Sequence, residues 1–374
     1  MKLLHTGDLH IGKIVNEFSL IEDQRLFLQQ IISIAVKEQA DAVIIAGDVY
    51  DRAIPSAEAV TILDEFLSEL IDSSIQVFMI SGNHDSPERV GFADRILEKQ
   101  GLYIAGSVAQ GIKQVVLQDA YGDVNFVLIP FVKPSVVGAK NSQEAMEKML
   151  QQVNYETKRI VLVTHYFVTD RENNPELSDS ETTINIGGLD NVEASLFDNF
   201  TYVALGHIHK PQKIGKHPVY YAGTPIKYSF SETNQSKGLN LVEIDEQGNT
   251  RVRQVPIKSL HDMRKIKGEL QELMRPEIVH LGDRNDYLQV TLTNKEELID
   301  PIGTLRTQYP NTMQLILEKN EIEGKEIDLG KLKKSKSLLE LYQDFYEIVR
   351  EDSLSGERMR VVLEAMKEAE GGEP

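Results

Sequence analysis

Five short runs rich in apolar residues mark the first 210 positions, and each ends at a polar side chain able to bind a metal. They are "LLHTGDLH" (3–10), "DAVIIAGDVYDR" (41–52), "VFMISGNHD" (77–85), "RIVLVTHY" (159–166) and "YVALGHIHK" (202–210). Short β-branched runs flanked by glycine are expected to be buried strands. Between the first three the pattern changes to a helical period. Phe27, Leu28, Ile31, Ile32 and Val36 share one face, as do Val60, Leu63, Phe66, Leu67 and Leu70. Strand, helix and strand at such intervals predict βαβ units and a largely parallel core. In sheets of that kind functional groups gather beyond the carboxyl ends of the strands. All five polar motifs fall at those ends, so distant parts of the chain are expected to converge.

Further along, "IKQVVLQDAYGDVNFVLIP" (112–130) alternates around Tyr121-Gly122-Asp123 and predicts a hairpin. "GLNLVEIDEQGNTRVRQVPI" (238–257) predicts another, and the two are expected to pair into a second sheet. Residues 169–188, rich in Asp, Glu, Asn, Ser and Gly, predict a long active-site loop. Near 260 the character changes. "HDMRKIKGELQELMRPE" (261–277) looks helical and linker-like, "YLQVTLT" (287–293) and "MQLILE" (313–318) are strand-like, and "KEELIDPIGTLRTQY" (295–309) predicts a helix with Pro301 near its first turns. This outlines a small α/β domain over 270–325. At the chain end Leu338, Leu341, Tyr342, Phe345 and Val349 share one helical face, and Met359, Val362, Leu363 and Met366 repeat the spacing. Such helices either fold back or dock a partner. Pattern alone favours fold-back.

Composition narrows the function. At 374 residues, 41% of them hydrophobic, the chain has material for more than one domain. No apolar run approaches the roughly 20 residues of a membrane span. The start "MKLLHTGDLH" is strand-like and is not expected to be a signal peptide. A soluble cytoplasmic protein without membrane contact is expected. Cysteine is absent, which excludes disulfides, thiolate ligands and a cysteine nucleophile. A net charge of −18 argues against passive coating of nucleic acid, although metal ions and a partner can supply local positive charge to a nucleic-acid enzyme. There is no G-x-x-x-x-G-K-[ST] motif, so any ATP dependence must come from another chain.

The candidate ligands are Asp8, His10, Asp48, Asn83, His165, His207 and His209. Seven nitrogen and oxygen donors exceed the needs of one tetrahedral zinc. They suit two metals sharing a carboxylate, a pair able to clamp a phosphoryl group and activate water. Imidazole and carboxylate without sulfur suit Mn²⁺, Fe or Zn. Taken singly, "GD" is usually a turn and a strand-end histidine is usually structural. His5, His217, His261 and His280 keep that ordinary meaning, since nothing pairs with them. "GNHD" and "GHIH" are more specific, and five motifs in this order and context are hard to produce by chance.

"GDLH", "GDVYD", "GNHD", the strand-end "TH" and "GHIH" resemble the calcineurin-like metallophosphoesterase superfamily. "GDLHIGK" (7–13), "GDVYDRAIPS" (47–56), "SGNHDSPER" (81–89), "ALGHIHKPQ" (204–212) and above all "YAGTPIKYSFSE" (221–232) resemble one branch of it, the SbcD-type nuclease subunits of bacterial nuclease–ATPase complexes. The likeness is strong to about residue 245 and weaker beyond. It implies a two-sheet α/β sandwich flanked by helices over 1–260, a small α/β capping domain over 270–325 that helps position DNA, and helices over 335–374 that dock the coiled-coil base of an SbcC-type ATPase. It implies a first metal on Asp8, His10, Asp48 and His209, and a second on Asp48, Asn83, His165 and His207, with Mn²⁺ the leading ion. His84 is implied as the catalytic residue rather than a ligand. The implied activity is 3′→5′ exonuclease on duplex DNA and endonuclease on single strands and hairpins, in DNA repair, recombination and replication, by a homodimer. One departure is Asp51, where some relatives carry a histidine: a carboxylate there is no cationic phosphate contact. Lys13, Arg52, Arg89 and Lys210 flank the motifs and either touch phosphate or are solvated charges. The superfamily motifs alone also fit a protein or small-molecule phosphatase. A non-catalytic scaffold would have no need of seven intact ligands and His84.

Overall fold

The computed structural model describes residues 1–170, 175–179, 191–296, 298–318, 339, 342, 343, 346 and 356–370. Most of the predicted loop 169–188, the lysines at 331, 333, 334 and 336, and Leu338, Leu341, Phe345 and Val349 lie outside the described residues.

All five apolar runs are strands: Lys2–Thr6, Ala42–Ala46, Gln76–Ile80, Ile160–His165 and Tyr202–Gly206. They belong to two six-stranded sheets. In the first, Lys2–Thr6, Ala42–Ala46, Gln76–Ile80 and Leu102–Ala105 run parallel. In the second, Gly122–Ile129, Ile160–His165, Tyr202–Gly206 and Val219–Tyr221 run parallel.

The runs are continuously apolar because both faces of each strand are covered. Leu3, Ala42, Ile44, Phe78 and Ile80 point between the sheets and meet Val124, Phe126, Val161, Val163 and Ala204 from the other layer. Phe78 stacks on Phe126 with ring centroids 3.9 Å apart. The alternate residues face outward. Leu4, Val43, Ile45, Val77 and Met79 pack with Phe27, Ile31, Leu63 and Phe66 of the helices Ile21–Glu38 and Ala57–Asp72. Val127, Ile129, Leu162 and Val203 pack with Met146 and Met149 of the helix Ser142–Leu150. Both predicted helices therefore form, although Val36 and Val60 at the edge of each stripe are exposed. Ser56 caps the second helix, its hydroxyl accepting from the amide of Ala59.

The hairpins also form, but they do not pair with each other. Lys113–Asp119 with Gly122–Ile129 closes one edge of the second sheet. Gly238–Ile244 with Thr250–Pro256 adds to the first, antiparallel to Lys2–Thr6. A hairpin signal specifies its own two strands, not the edge that receives them. That choice rests on long-range burial, here of Leu239 and Leu241 on the helix side and Val242 and Ile244 between the sheets.

The N-terminus is pinned beside the first hairpin. The Met1 ammonium lies 2.7 Å from Asp119, whose carboxylate also takes a bidentate pair of bonds from buried Arg159 at 2.7 and 2.9 Å. Arg159 holds the Asp119 carboxyl well below its ordinary range. A carboxylate lowered on folding stabilises fully above its unfolded value, roughly pH 4, and loses the contribution as pH falls through the folded value. Asp119→Asn leaves Arg159 buried without its anion and is expected to cost about 3 kcal/mol at pH 7. The gap from wild type in denaturant midpoint should narrow below about pH 4.

A third sheet of three parallel strands follows: Met263–Gly268, Tyr287–Leu292 and Thr312–Leu317. The first was expected to be a helical linker. Its Arg264, Lys265 and Lys267 mask the period, yet Met263 is buried and Ile266 packs in the small core. Only two short helices, Leu270–Leu273 and Pro276–Val279, occupy the rest of that stretch. The predicted Pro301 helix spans Pro301–Arg306, its cap Asp300 accepting from the amide of Gly303. The small sheet is tied to the helix Ile21–Glu38 through Asp23, which accepts from the Tyr287 hydroxyl at 2.8 Å and the His261 amide at 2.9 Å. Residues 1–318 form one compact unit. In the second, the helix Gly356–Glu370 is formed, with Met359, Val362 and Met366 partly covered and Leu363 39% exposed.

Candidate metal centre

The carboxyl ends of strands from both sheets open onto one rim. Asp8 and His10 leave the first strand, Asp48 the second and Asn83 and His84 the third; His165, His207 and His209 come from the other layer. Backbone bonds lay the first two loops side by side. The Asp8, His10 and Ile11 amides donate to the carbonyls of Gly47, Asp48 and Val49 at 3.0, 2.9 and 2.9 Å. Asp8, His10, Asp48 and His207 all hold positive φ, at 51°, 44°, 48° and 97°. Such backbone is costly for residues with a Cβ and is found where the surroundings over-determine a site.

Gly82 shows how tightly the loops meet. A Cβ there would stand 2.1 Å from Asp48 Oδ1 and 2.3 Å from its amide. Gly82→Ala must therefore push the Asp48 loop away. It is expected to abolish tight metal binding while the two-sheet core stays folded. Metal titration beside circular dichroism checks this, and unaltered binding in a folded variant would contradict it.

The structure brings all seven predicted ligands together, with His84 beside them. Three groups of ligand atoms each lie within 4.8 Å: Asp8, His10 and His209; Asp8, Asp48 and His165; and His10, Asp48 and His84. Asp48 is common to the second and third and sits 3.4 Å from His165 Nε2, 3.7 Å from His10 Nε2 and 4.0 Å from His84 Nε2. Asp8 accepts from the His207 amide with both oxygens, at 2.8 and 3.0 Å. Asn83 Oδ1 lies 3.0 Å from both His165 Nε2 and His207 Nδ1.

Burial and close charges shift these groups in opposite directions. Burial pushes Asp8 up to about 7, aided by Asp48. Burial also acts on Asp48, but His165, His10 and His84 outweigh it and hold it below the ordinary range. Burial drives His207 down to about 3 and His10 well down, so their ring nitrogens keep lone pairs. His165 moves the other way: Asp48 overcomes its burial and lifts it to about 9.

Two details suit a metal site. Buried His10 has no hydrogen-bond partner at either ring nitrogen. His165 Nδ1 faces the Ala46 carbonyl at 2.8 Å, which directs Nε2 into the site, 3.0 Å from Asn83 Oδ1.

His84 differs from the seven. Its side chain is 37% exposed, its amide donates to Asp48 Oδ1 at 2.9 Å, and its Nδ1 faces the Asp51 carbonyl at 3.1 Å. Of the flanking cations, Lys13 is paired with Asp51 at 2.7 Å and Lys210 with Glu176, whereas Arg52 and Arg89 are exposed.

The supporting shell was not predicted. Asp85 accepts from the amides of Val49, Tyr50 and Gly82 at 3.0, 2.9 and 2.9 Å and ties the second loop to the third. It stands inside the quoted "GNHD", which was the available signal. Gln24 donates to the His10 carbonyl at 2.8 Å and to the Tyr228 hydroxyl at 3.1 Å. Nothing in the helix pattern distinguishes it from a surface polar residue.

The family model of the calcineurin-like phosphoesterases matches residues 1–211. A second, the type 5 capsule protein repressor C-terminal domain, matches 259–350. The SbcD subunit of the nuclease SbcCD from Staphylococcus epidermidis is 34% identical over 326 residues, 84% of this chain and 85% of that protein. Its namesake from Staphylococcus saprophyticus is 33% identical over 84% of each. Among solved structures, a dimetal phosphatase from Danio rerio aligns with a TM-score of 0.40 and 14% identity, over 68% of this chain and 98% of its own. Among the described residues no helix is long and apolar enough to cross a membrane.

Proposed function

The chain belongs to the calcineurin-like phosphoesterases, in the branch of the SbcD nucleases, and from that premise we propose that it is a metal-dependent DNA nuclease working with an SbcC-type ATPase. It is a hydrolase of phosphodiester bonds and binds divalent metal. The observation that carries the proposal is the convergence on Asp48 of donors from both sheets. Asp8, His10, Asp48 and His209 would hold one ion, and Asp48, Asn83, His165 and His207 the other. Mn²⁺ suits this sulfur-free set of imidazole, amide and carboxylate donors. When bound, the ions would acidify water and offset charge on the phosphate oxygens.

The chain's own contribution is orientation and proton transfer. Burial keeps His10 and His207 neutral and ready to bind. Asp85 and the Asp48–His84 amide bond hold the second and third loops at fixed separation. His84, anchored through Nδ1 to a carbonyl and partly open to solvent, would give a proton from Nε2 to the departing sugar oxygen.

The substrates would be duplex ends, cut 3′→5′, together with single strands and hairpins. The three-stranded module at 263–317 would act as the capping domain, residues 335–374 would dock the ATPase, and two copies would associate through the nuclease domain. Deleting residues 335–374 should leave Mn²⁺-dependent cleavage of single strands intact and abolish co-purification with the ATPase. The decisive assay sets Mn²⁺-dependent cleavage of a labelled hairpin DNA beside hydrolysis of a simple phosphomonoester. Turnover of the monoester with the DNA left intact would keep the metal centre and overturn the substrate.

A further inference from the structure

The segment 221–232 lies outside the seven donors, yet it wraps one side of the centre. The Tyr228 hydroxyl donates to the Leu9 carbonyl at 2.5 Å, and the Tyr228 ring meets His10 edge-on at 5.7 Å. The Thr224 amide donates to the His209 carbonyl at 3.1 Å. Glu232 is wholly buried, its Oε1 3.5 Å from His209 Nδ1 and its Oε2 2.6 Å from Lys237 Nζ. Lys237, itself 4% exposed, donates to the His209 carbonyl at 2.8 Å. His209 is thus held at its backbone by Thr224 and Lys237 and faced at its ring by a carboxylate.

We infer that Glu232 is a positioning residue for His209: it accepts the Nδ1 proton, fixes the tautomer that offers Nε2 to an ion, and makes the Asp8–His10–His209 side the tighter of the two metal sites. This rests on the two-ion reading above. A carboxylate behind a ligating imidazole orients the ring and raises its basicity, and removing such a partner typically weakens metal binding about 10–100-fold. The other side is built differently. His165 is oriented by a neutral acceptor, the carbonyl of Ala46, and His207 faces the amide oxygen of Asn83. Lys237 completes the arrangement by pairing with the other carboxylate oxygen of Glu232 at 2.6 Å while holding the His209 carbonyl at 2.8 Å.

The test is stepwise Mn²⁺ binding to the full chain by calorimetry and Mn²⁺ spectroscopy, with no substrate present. His10→Ala and Asn83→Ala serve as references for loss of one site or the other. Removing both charges with Glu232→Met/Lys237→Met avoids stranding a buried lysine. That variant is expected to weaken the step missing in His10→Ala about 10–100-fold and leave the step missing in Asn83→Ala unchanged. Glu232→Gln, which keeps an acceptor for Nδ1–H, should fall between it and wild type. Two unaltered steps, or equal weakening of both, would overturn the role of Glu232. If the double variant does not fold, Glu232→Gln alone decides, since an unchanged first step there overturns the inference too. A wild type that binds fewer than two ions would instead remove the two-ion reading on which this stands.

Discussion

Asp48→Ala is expected to lower phosphodiester cleavage at least about 10³-fold and to weaken both metal sites together. The size follows from what one carboxylate does. Charge neutralisation by a metal pair contributes several kcal/mol to a phosphoryl transfer, and about 4 kcal/mol is a thousandfold in rate. Asp48 stands between the two halves of the site, with His165 at 3.4 Å on one side and His10 at 3.7 Å on the other. Its Oδ1 also receives the amide of His84, so its loss loosens the loop that carries the proposed proton donor. His10→Ala or Asn83→Ala should each remove one ion and spare the other. Mn²⁺ stoichiometry at concentrations that saturate the wild type separates these cases. Two fully occupied sites in Asp48→Ala would remove Asp48 from its place between the ions.

The candidate ligands of the centre were legible because they follow a local pattern. A strand buried on both faces must read as an unbroken apolar run, and the residue after it is where the chain turns toward solvent. Asp8, Asp48, Asn83, His165 and His207 all mark that point. The division of those strands between two sheets was not legible, since the run before Asp48 and the run before His165 look alike. Only burial between layers separates them, as Ile44 and Phe78 facing Val163 and Phe126 show. The same limit sent both hairpins to one sheet in expectation and to opposite sheets in fact.

The supporting residues escaped for another reason. Asp85, Gln24 and Glu232 act through hydrogen bonds and ion pairs that reach partners distant in sequence, 36 residues in the case of Asp85 and Val49. No periodicity encodes such a bond. The charges of Met263–Gly268 hid a strand because Lys265 and Lys267 continue the face that Met263 buries at one end, while Ile266 packs from the opposite face.

His84→Gln separates binding from chemistry. The variant should hold both ions and lose about 10²–10⁴-fold in kcat, the usual contribution of a general acid. Binding survives because the short link from His84 to Asp48 is its backbone amide at 2.9 Å, which any side chain retains, whereas its ring nitrogen stands 4.0 Å from that carboxylate. Folding survives because the ring is 37% exposed, so a glutamine leaves no sealed cavity. What is lost is the Nε2–H proposed as the proton donor, held at the mouth of the site by the bond from Nδ1 to the Asp51 carbonyl. An amide can occupy that place but cannot release a proton near neutral pH. The loss should therefore depend on the leaving group. With a DNA phosphodiester, whose sugar oxygen needs protonation, the full effect is expected. With an aryl phosphodiester, whose phenolate departs unaided, the variant should approach wild type. Equal losses on both substrates would instead make His84 a stabiliser of charge on the phosphate. Cleavage of DNA within tenfold of wild type, with both ions bound, would leave His84 without a chemical role.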